Sequence, residues 1–328
     1  MSSVKGYIVR RVSFSILTFI ILLLLNFLIP RAMPGDPARI LVNEYQLPMD
    51  IVKELRARFN LDAPIHEQFL AYLRETLLHA NFGYSYRYYP MTVWELLMQR
   101  LPWTLFLLGI ASVTTPSFGI LLGIITGWRR GSRFDVFVAS ISMFIWAIPY
   151  FWLAMILLYV FGYIIPIFPL SHAITPAATY NTPIEYILDI LRHAALPVIA
   201  LTITGYASYT LIARGSMIDT IAEDYILMAE AKGLPERRIM LNHAARNALL
   251  PVITMVALRF GFIVGGSIYT ETVFSYPGVG LLIYEAITYH DYPVLQGAFF
   301  LLSLTVILAN LIADLIYLIV DPRVRYTR

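Results

Sequence analysis

Long uncharged stretches dominate the chain and indicate its class. A helix that crosses lipid needs about 20 mainly apolar residues, because the bilayer core offers no partner for backbone polar groups. Stretches of this kind, two of them interrupted by a single charged residue, lie at 12–30, 101–128, 136–161, 193–213, 247–270 and 292–320. The pattern predicts an all-α polytopic membrane protein with six transmembrane helices.

Composition supports this class. Of the 328 residues, 59% are hydrophobic and 14% are charged, whereas a soluble domain is about half apolar and a quarter charged. This balance excludes a disordered protein, a coiled coil and most soluble enzymes. The chain has no Cys, which excludes disulfides, Cys-ligated zinc and iron–sulfur clusters. The net charge of +3 gives no support for nucleic-acid binding.

Basic residues lie in alternate connections between the predicted spans. They occur before the first span, between the second and third, and after the last, whereas 162–191 and 271–291 contain no Lys or Arg. Because short cytoplasmic connections are enriched in Lys and Arg, both termini are expected in the cytoplasm. The expected domains are 1–100, a transmembrane helix with a small extracytoplasmic domain between spans one and two, and 101–328, a five-helix core.

Small residues mark a predicted helix contact. Gly119, Gly123 and Gly127 recur every four positions in the second span. This spacing places them on one face of a helix, where they form a groove that lets a neighbouring helix approach closely. The sequence therefore predicts a tight helix pair at this groove.

The segment 214–246 is polar but patterned. Its five basic and five acidic residues surround a run without Gly or Pro, and this run predicts a helix over 217–232. Gly233 can adopt the positive φ that ends a helix, and Pro235 with Glu236 favours the start of a second helix. Apolar residues beside Arg237 and Arg238 in that second helix are typical of a helix that docks into another protein.

Two adjoining strings in this loop carry a family resemblance. The strings A-E-A-K-G-L-P-E-R-R-I at 229–239 and N-H-A-A-R-N-A-L-L-P at 242–251 resemble the "EAA" loop of ABC importer permeases, in the variant of dipeptide and oligopeptide permeases. Leu227 stands where the general motif has Glu. The resemblance implies a coupling helix that inserts into an ATPase subunit, and it assigns this loop to Ala229, Ala231, Lys232, Gly233, Leu234, Pro235, Arg238, His243 and Asn247.

The resemblance extends over nearly the whole chain. Further similar strings lie at 34–37 (P-G-D-P), 61–69, 99–105, 131–135 (G-S-R-F-D), 148–152, 271–280, 291–294 (D-Y-P-V), 310–317 and 321–323. Together they imply a type I ABC importer permease fold, in the "B"-type subunit of the peptide family, with a large loop after the first span.

The resemblance also implies a function. A permease of this family forms the translocation path for di- and oligopeptides delivered by a binding protein, and oligosaccharides or a nickel complex are the alternative substrates. The implied partners are a second homologous permease, two ATP-binding subunits, an extracytoplasmic substrate-binding protein and membrane lipid. The implied location is the cell membrane of a bacterium or archaeon.

The chain itself is not expected to be an enzyme. It contains no G-x-x-x-x-G-K-[ST] string, so it lacks the loop that cradles ATP phosphates. ATP and Mg are therefore expected in the partner ATPases, with no cofactor or metal held by this chain. The competing class is a stand-alone secondary carrier or channel, for which internal repeats and several intramembrane acids would be expected. The sequence shows neither.

Charged residues inside a span are costly and therefore candidates for function. Arg259 is a candidate for the translocation path, where it would meet a peptide carboxylate, or it pairs with Asp314 or a backbone carbonyl. Asn310 shares a helix face with Asp314. Outside the spans, a cluster of tyrosines is a candidate contact for the binding protein or an interfacial aromatic belt; its members are Tyr84, Tyr86, Tyr88 and Tyr89.

Overall fold

The computed structural model describes residues 4–32, 50, 53, 63–260 and 268–320. Within these ranges the chain is helical, and extended segments pair at one isolated bridge, between Tyr84 and Thr92. The helices are α1 (Val4–Ala32), α2 (Ile65–His79), α3 (Val93–Trp128), α4 (Arg133–Ala147), α5 (Tyr150–Leu158), α6 (Pro183–Ile221), α7 (Asp224–Ala231), α8 (Glu236–Arg238), α9 (Arg246–Ala248), α10 (Leu250–Phe260), α11 (Ile268–Val273), α12 (Val279–Thr288) and α13 (Tyr292–Val320).

The chain forms two compact units. The first contains Met1–Thr104, Val264–Ile268 and Pro277–Arg328, and the second contains Leu105–Ile263 and Tyr269–Tyr276. Each unit therefore combines segments that are distant in sequence.

Among the described residues, three helices are long and apolar enough to cross a membrane. They are Arg10–Ile29 within α1, the whole of α3 and the whole of α6, and they coincide with the first, second and fourth predicted spans. The fifth predicted stretch includes residues outside the described ranges. The count of six spans stays a prediction, whereas the helical membrane class is confirmed.

The third predicted span is not one straight helix. The structure bends by 99° between Arg133–Ala147 and Tyr150–Ile164. At the bend Ile148 is extended, with φ −82° and ψ 130°, because a residue that precedes proline is disfavoured in the helical region. The predicted stretch 136–161 is therefore two helices that meet at Pro149, and its count as one span stays a prediction.

Two of the long helices begin earlier than the uncharged runs suggested. At the start of α3 the Glu95 amide donates to Thr92 Oγ1 at 3.2 Å, and the Thr92 amide donates to Glu95 Oε2 at 2.9 Å. This reciprocal capping box satisfies two amides that a helix start leaves unpaired. A similar cap precedes α6, where Thr182 Oγ1 accepts from the Glu185 amide at 3.2 Å. Charged first turns therefore belong to these helices.

In the first unit, α1 packs against α2 and α13. Phe27 is 1% exposed, and its ring centroid lies 5.1 Å from that of Phe69 and 5.6 Å from that of Tyr72. Asn26 Nδ2 donates to the Gln296 carbonyl at 2.8 Å and to Tyr72 Oη at 3.1 Å. The end of α1 is therefore fixed to the other two helices by aromatic and polar contacts.

The second unit is built on the contact between α3 and α6, and the predicted glycine groove is confirmed. A Cβ on Gly119 would lie 2.6 Å from the Tyr206 carbonyl oxygen, and one on Gly123 would lie 2.5 Å from Ala213 Cβ. Real Cβ atoms do not approach so closely, so any larger residue there would push the helices apart.

Gly123→Ala tests this contact. We expect it to lower stability by about 1–3 kcal/mol through overpacking, measured as thermal unfolding of the protein in detergent. Gly109→Ala is the matched control in the same helix, because no atom lies within 4 Å of its added Cβ. Equal unfolding temperatures for the two variants would contradict the close contact.

Candidate functional site

The polar loop begins later than the sequence predicted. Helix α6 continues through Met217 and ends at Ile221. A break in the helix follows at Ala222 and Glu223, whose amides donate to the Asp219 and Thr220 carbonyls at 3.3 and 3.1 Å. The prediction of a helix starting at 217 was therefore wrong. The break contains no Gly or Pro, so the sequence carried no signal for it.

Gly233 ends α7 as predicted. Its φ is +70°, its amide donates to the Glu230 carbonyl at 2.8 Å, and the Leu234 amide donates to the Ala229 carbonyl at 3.4 Å. These are the two bonds of a Schellman motif. No atom lies within 4 Å of the position that a Cβ would take. The backbone conformation, rather than space, therefore requires glycine here.

The second half of the loop also begins as predicted. Pro235 is extended and Glu236 is the first residue of α8. The helix then continues through a π-helical segment, Ile239–Ala245, into α9. Trp128 Nε1, at the end of α3, donates to Glu236 Oε1 at 2.6 Å. The start of the second loop helix is thereby tied to the end of a long helix.

One side of the loop is buried against the long helices. Its apolar residues form a cluster with Ile124 of α3 and Met217 of α6; the loop members are Ile226, Ala229, Ile239, Ala244, Ala245 and Ala248. Met217 is completely buried. A displacement of the loop must therefore displace these helix ends.

The other side of the loop is exposed. Most of the residues assigned to coupling lie there, with Leu234 and His243 half-buried and Ala229 buried. The exposed ones are Ala231, Lys232, Gly233, Pro235, Arg238 and Asn247. Leu227 and Met228 are 58% and 59% exposed and add apolar surface that motif matching missed. Apolar and cationic groups share this face.

Asn247 has a partner within the loop. Its Nδ2 donates to Tyr225 Oη at 2.8 Å, which connects the start of α7 to α9. This side chain therefore holds the two loop helices together.

The three candidates inside the spans are placed only by backbone. Arg259 lies on α10, and Asn310 and Asp314 lie on α13. Their side chains fall outside the described residues. Neither a path-lining role nor a pairing is tested.

The Tyr-rich segment packs into the first unit rather than standing free. Tyr86 is 6% exposed and belongs to the core, so it offers no contact surface and is removed from the candidate contact. Tyr84 and Tyr88 are half-buried, and Tyr89 is 43% exposed. Tyr88 Oη donates to Glu285 Oε2 at 2.8 Å. Tyr89 is the most accessible of the four.

Asp291 fixes this segment in place. Its Oδ2 accepts from Ser85 Oγ at 2.5 Å and from the Arg87 amide at 3.2 Å. Burial raises the pKa of this carboxyl, opposed by these hydrogen bonds. The Arg87 guanidinium lies 3.5 Å from the centroid of the Tyr289 ring, a cation–π contact. No local pattern predicted this connection across about two hundred residues.

A second carboxylate fixes the loop before α6. Asp189 accepts from the Thr175 amide at 2.7 Å, from Thr175 Oγ1 at 2.8 Å and from Tyr180 Oη at 2.7 Å. The bond to Asp189 raises the pKa of Tyr180 to about 12. His193 Nδ1 lies 3.4 Å from Asp189 Oδ1. Among the described residues, no group of three or more His, Asp or Glu side chains is placed to hold a metal ion.

Comparison with known proteins identifies the family. One family model, "Binding-protein-dependent transport system inner membrane component", matches residues 119–326. The N-terminal model for membrane components of the same transport systems matches residues 4–108. Long apolar helices joined by a structured polar loop agree with a membrane component of a transporter. The chain belongs to this family, and it is a permease subunit of an ABC transport system.

Individual relatives cover the chain almost completely. The "Di/tripeptide transport system permease protein DppB" of Pseudomonas aeruginosa is 34% identical over 98% of this chain and 99% of its own length. The "Dipeptide transport system permease protein DppB" of Escherichia coli is 33% identical over the same shares. The "Oligopeptide transport system permease protein AppB" of Bacillus subtilis is 34% identical over the same shares. These matches confirm the resemblance and set aside a stand-alone carrier or channel.

Asp291→Ala tests how the Tyr-rich segment is held. We expect a trypsin fragment that ends at Arg87 to appear at least tenfold faster from the protein in detergent, because two hydrogen bonds to that segment are lost. Glu285→Gln is the matched control, since it weakens only the bond from Tyr88, and it should cleave at the parental rate. Equal cleavage of both variants would contradict the role of Asp291.

Proposed function

We propose that this chain is the permease of a peptide importer and forms part of the path for di- and oligopeptides delivered by an extracytoplasmic binding protein. The relatives that support this are named for dipeptide, di/tripeptide and oligopeptide transport. Their alignment covers 98% of the chain, so the spans, the loop and the segment after the first span are all included.

The two-sided loop is the observation that carries the proposed coupling mechanism. Its buried side is attached to α3 and α6 through Ile124 and Met217. Its exposed side presents Leu227, Met228 and Lys232 together with acids such as Glu230, a mixed apolar and charged face suited to a groove on another protein. One of two ATP-binding subunits, which hold ATP and Mg, would dock there and the other on the second permease, and the helix ends would move as the two subunits close.

The remaining parts of the importer follow from this arrangement. A second homologous permease would complete the path. The loop and both termini would face the cytoplasm, and the Tyr-rich segment would lie outside, with Tyr84, Tyr88 and Tyr89 toward the binding protein. The location would be the cell membrane of a bacterium or archaeon. Arg259, Asn310 and Asp314 stay candidates for the path or for pairing within it.

Purification of the tagged protein from native membranes in mild detergent tests the assembly. Mass spectrometry should find ATP-binding subunits, a second permease and a binding protein in the eluate. A homo-oligomer without any ATPase would contradict the proposal.

Uptake by proteoliposomes that contain this complex, its binding protein and internal ATP tests the substrate. Radiolabelled dialanine should accumulate, and unlabelled di- and tripeptides should compete. Competition by an oligosaccharide or a nickel chelate, with none by peptides, would assign the importer to one of those alternative substrates.

Gly233→Val tests whether the polar loop between α6 and α10 (222–248), called the docking loop below, binds the ATPase. A β-branched residue is strained at positive φ, so the Schellman turn should open, and we expect at least a tenfold loss of co-purified ATPase with normal membrane insertion. Gly131→Val is the matched control, because Gly131 also has a positive φ of +78° and open space at its Cβ. ATPase recovery unchanged in Gly233→Val would exclude this turn from docking.

A further inference from the structure

An ion pair between the buried Asp135 and the half-buried Arg214 joins the start of α4 to α6. Arg214 Nε donates to Asp135 Oδ1 at 2.5 Å, and Arg214 Nη2 donates to Asp135 Oδ2 at 2.9 Å. Asp135 is 1% exposed, and Oδ2 also accepts from the Gly131 amide at 2.9 Å. Two parallel bonds fix the orientation of the side chains as well as their separation. The pair therefore holds the two helices in one geometry.

Arg214 of this ion pair lies about two helical turns before the docking loop, which begins at Ala222. Met217, three residues after Arg214, belongs to the cluster that carries the loop. A Cβ on Gly127 would lie 2.5 Å from Met217 Cβ and 2.9 Å from the Arg214 carbonyl oxygen, so α3 also touches α6 at this level. A force applied to the loop reaches Arg214 through packed atoms.

Helix α4 packs against α6 with few fully buried residues of its own. Its buried residues are Asp135, Val138 and Ser142, and of these only Val138 is apolar. Neighbouring positions such as Phe137 are largely exposed. In lipid, helices associate through close packing and through polar bonds between them. The ion pair adds a charged, two-bond contact between α4 and α6 that sets their relative orientation.

We infer that Asp135 and Arg214 are positioning residues for transport, which make the start of α4 move with the end of α6 when the ATPases displace the loop. The inference rests on the proposed function, because it requires ATPase docking at the loop.

Pulsed electron paramagnetic resonance of the purified complex tests this inference. The chain has no Cys, so labels can be placed uniquely at Arg133→Cys and Asp219→Cys, two exposed positions on α4 and α6. We expect the same distance without nucleotide and after trapping with ATP and vanadate. In Asp135→Asn the width of the distance distribution should at least double on trapping, with the ATPases still bound.

Control variants separate positioning from charge balance. Arg130→Gln removes an exposed cation that acts electrostatically on Asp135 and should keep the parental distances. Asp135→Asn leaves the Arg214 charge without its partner, which is destabilising in itself, whereas Asp135→Asn/Arg214→Gln removes both charges. We expect the double variant to keep its ATPases and still show the broadened distribution.

Two results would overturn the inference. One is parental distances in the double variant, which would show that each residue only neutralises the charge of the other. The other is loss of the ATPases from Asp135→Asn and from the double variant, which would place the pair in docking. A parent preparation without ATPases would refute the proposed function, and the inference with it, before any variant is made.

Discussion

The second unit depends on how closely α3 and α6 approach each other. Lipid tails are as apolar as the side chains, so side chains gain little free energy by exchanging lipid contacts for contacts with another helix. Two helices in lipid therefore associate through dispersion contacts and polar bonds at short range. Three glycines on one face of α3 allow that range, because each leaves space that a backbone atom or Cβ of α6 occupies. The docking loop packs on the ends of both helices, so its position depends on this contact.

Irregular segments are held by single carboxylates. Asp135 accepts from the Gly131 amide in the turn before α4, Asp189 holds the segment before α6, and Asp291 holds the Tyr-rich segment. In each case one acid accepts several bonds from backbone amides and side chains. A carboxylate suits this role because it offers several acceptor sites at one point. Turns with little apolar content thus become fixed without a hydrophobic core of their own.

The features that could be predicted from the sequence are those that neighbouring residues determine. Uncharged runs located α1, α3 and α6; the glycine spacing located the groove; and Gly233 and Pro235 located the loop turn. The sequence failed where distant residues decide: the pairing of Asp135 with Arg214 and of Asp291 with Ser85 leaves no periodic trace. It also failed at the break after Ile221, which contains no Gly or Pro. The bend at Pro149 was readable from the proline, but the length of the uncharged run concealed it.

The length of α6 has a mechanical consequence. Its 39 residues make a rod of about 58 Å, roughly twice the thickness of a bilayer's hydrocarbon core, about 30 Å. Such a rod acts as a lever: a tilt of about 5° about its middle would carry its two ends about 2.5 Å in opposite directions. The segment held by Asp189 is attached to one end of α6, and the docking loop is attached to the other end. A displacement of a few ångströms at one end of α6 would therefore displace the other end by a similar distance.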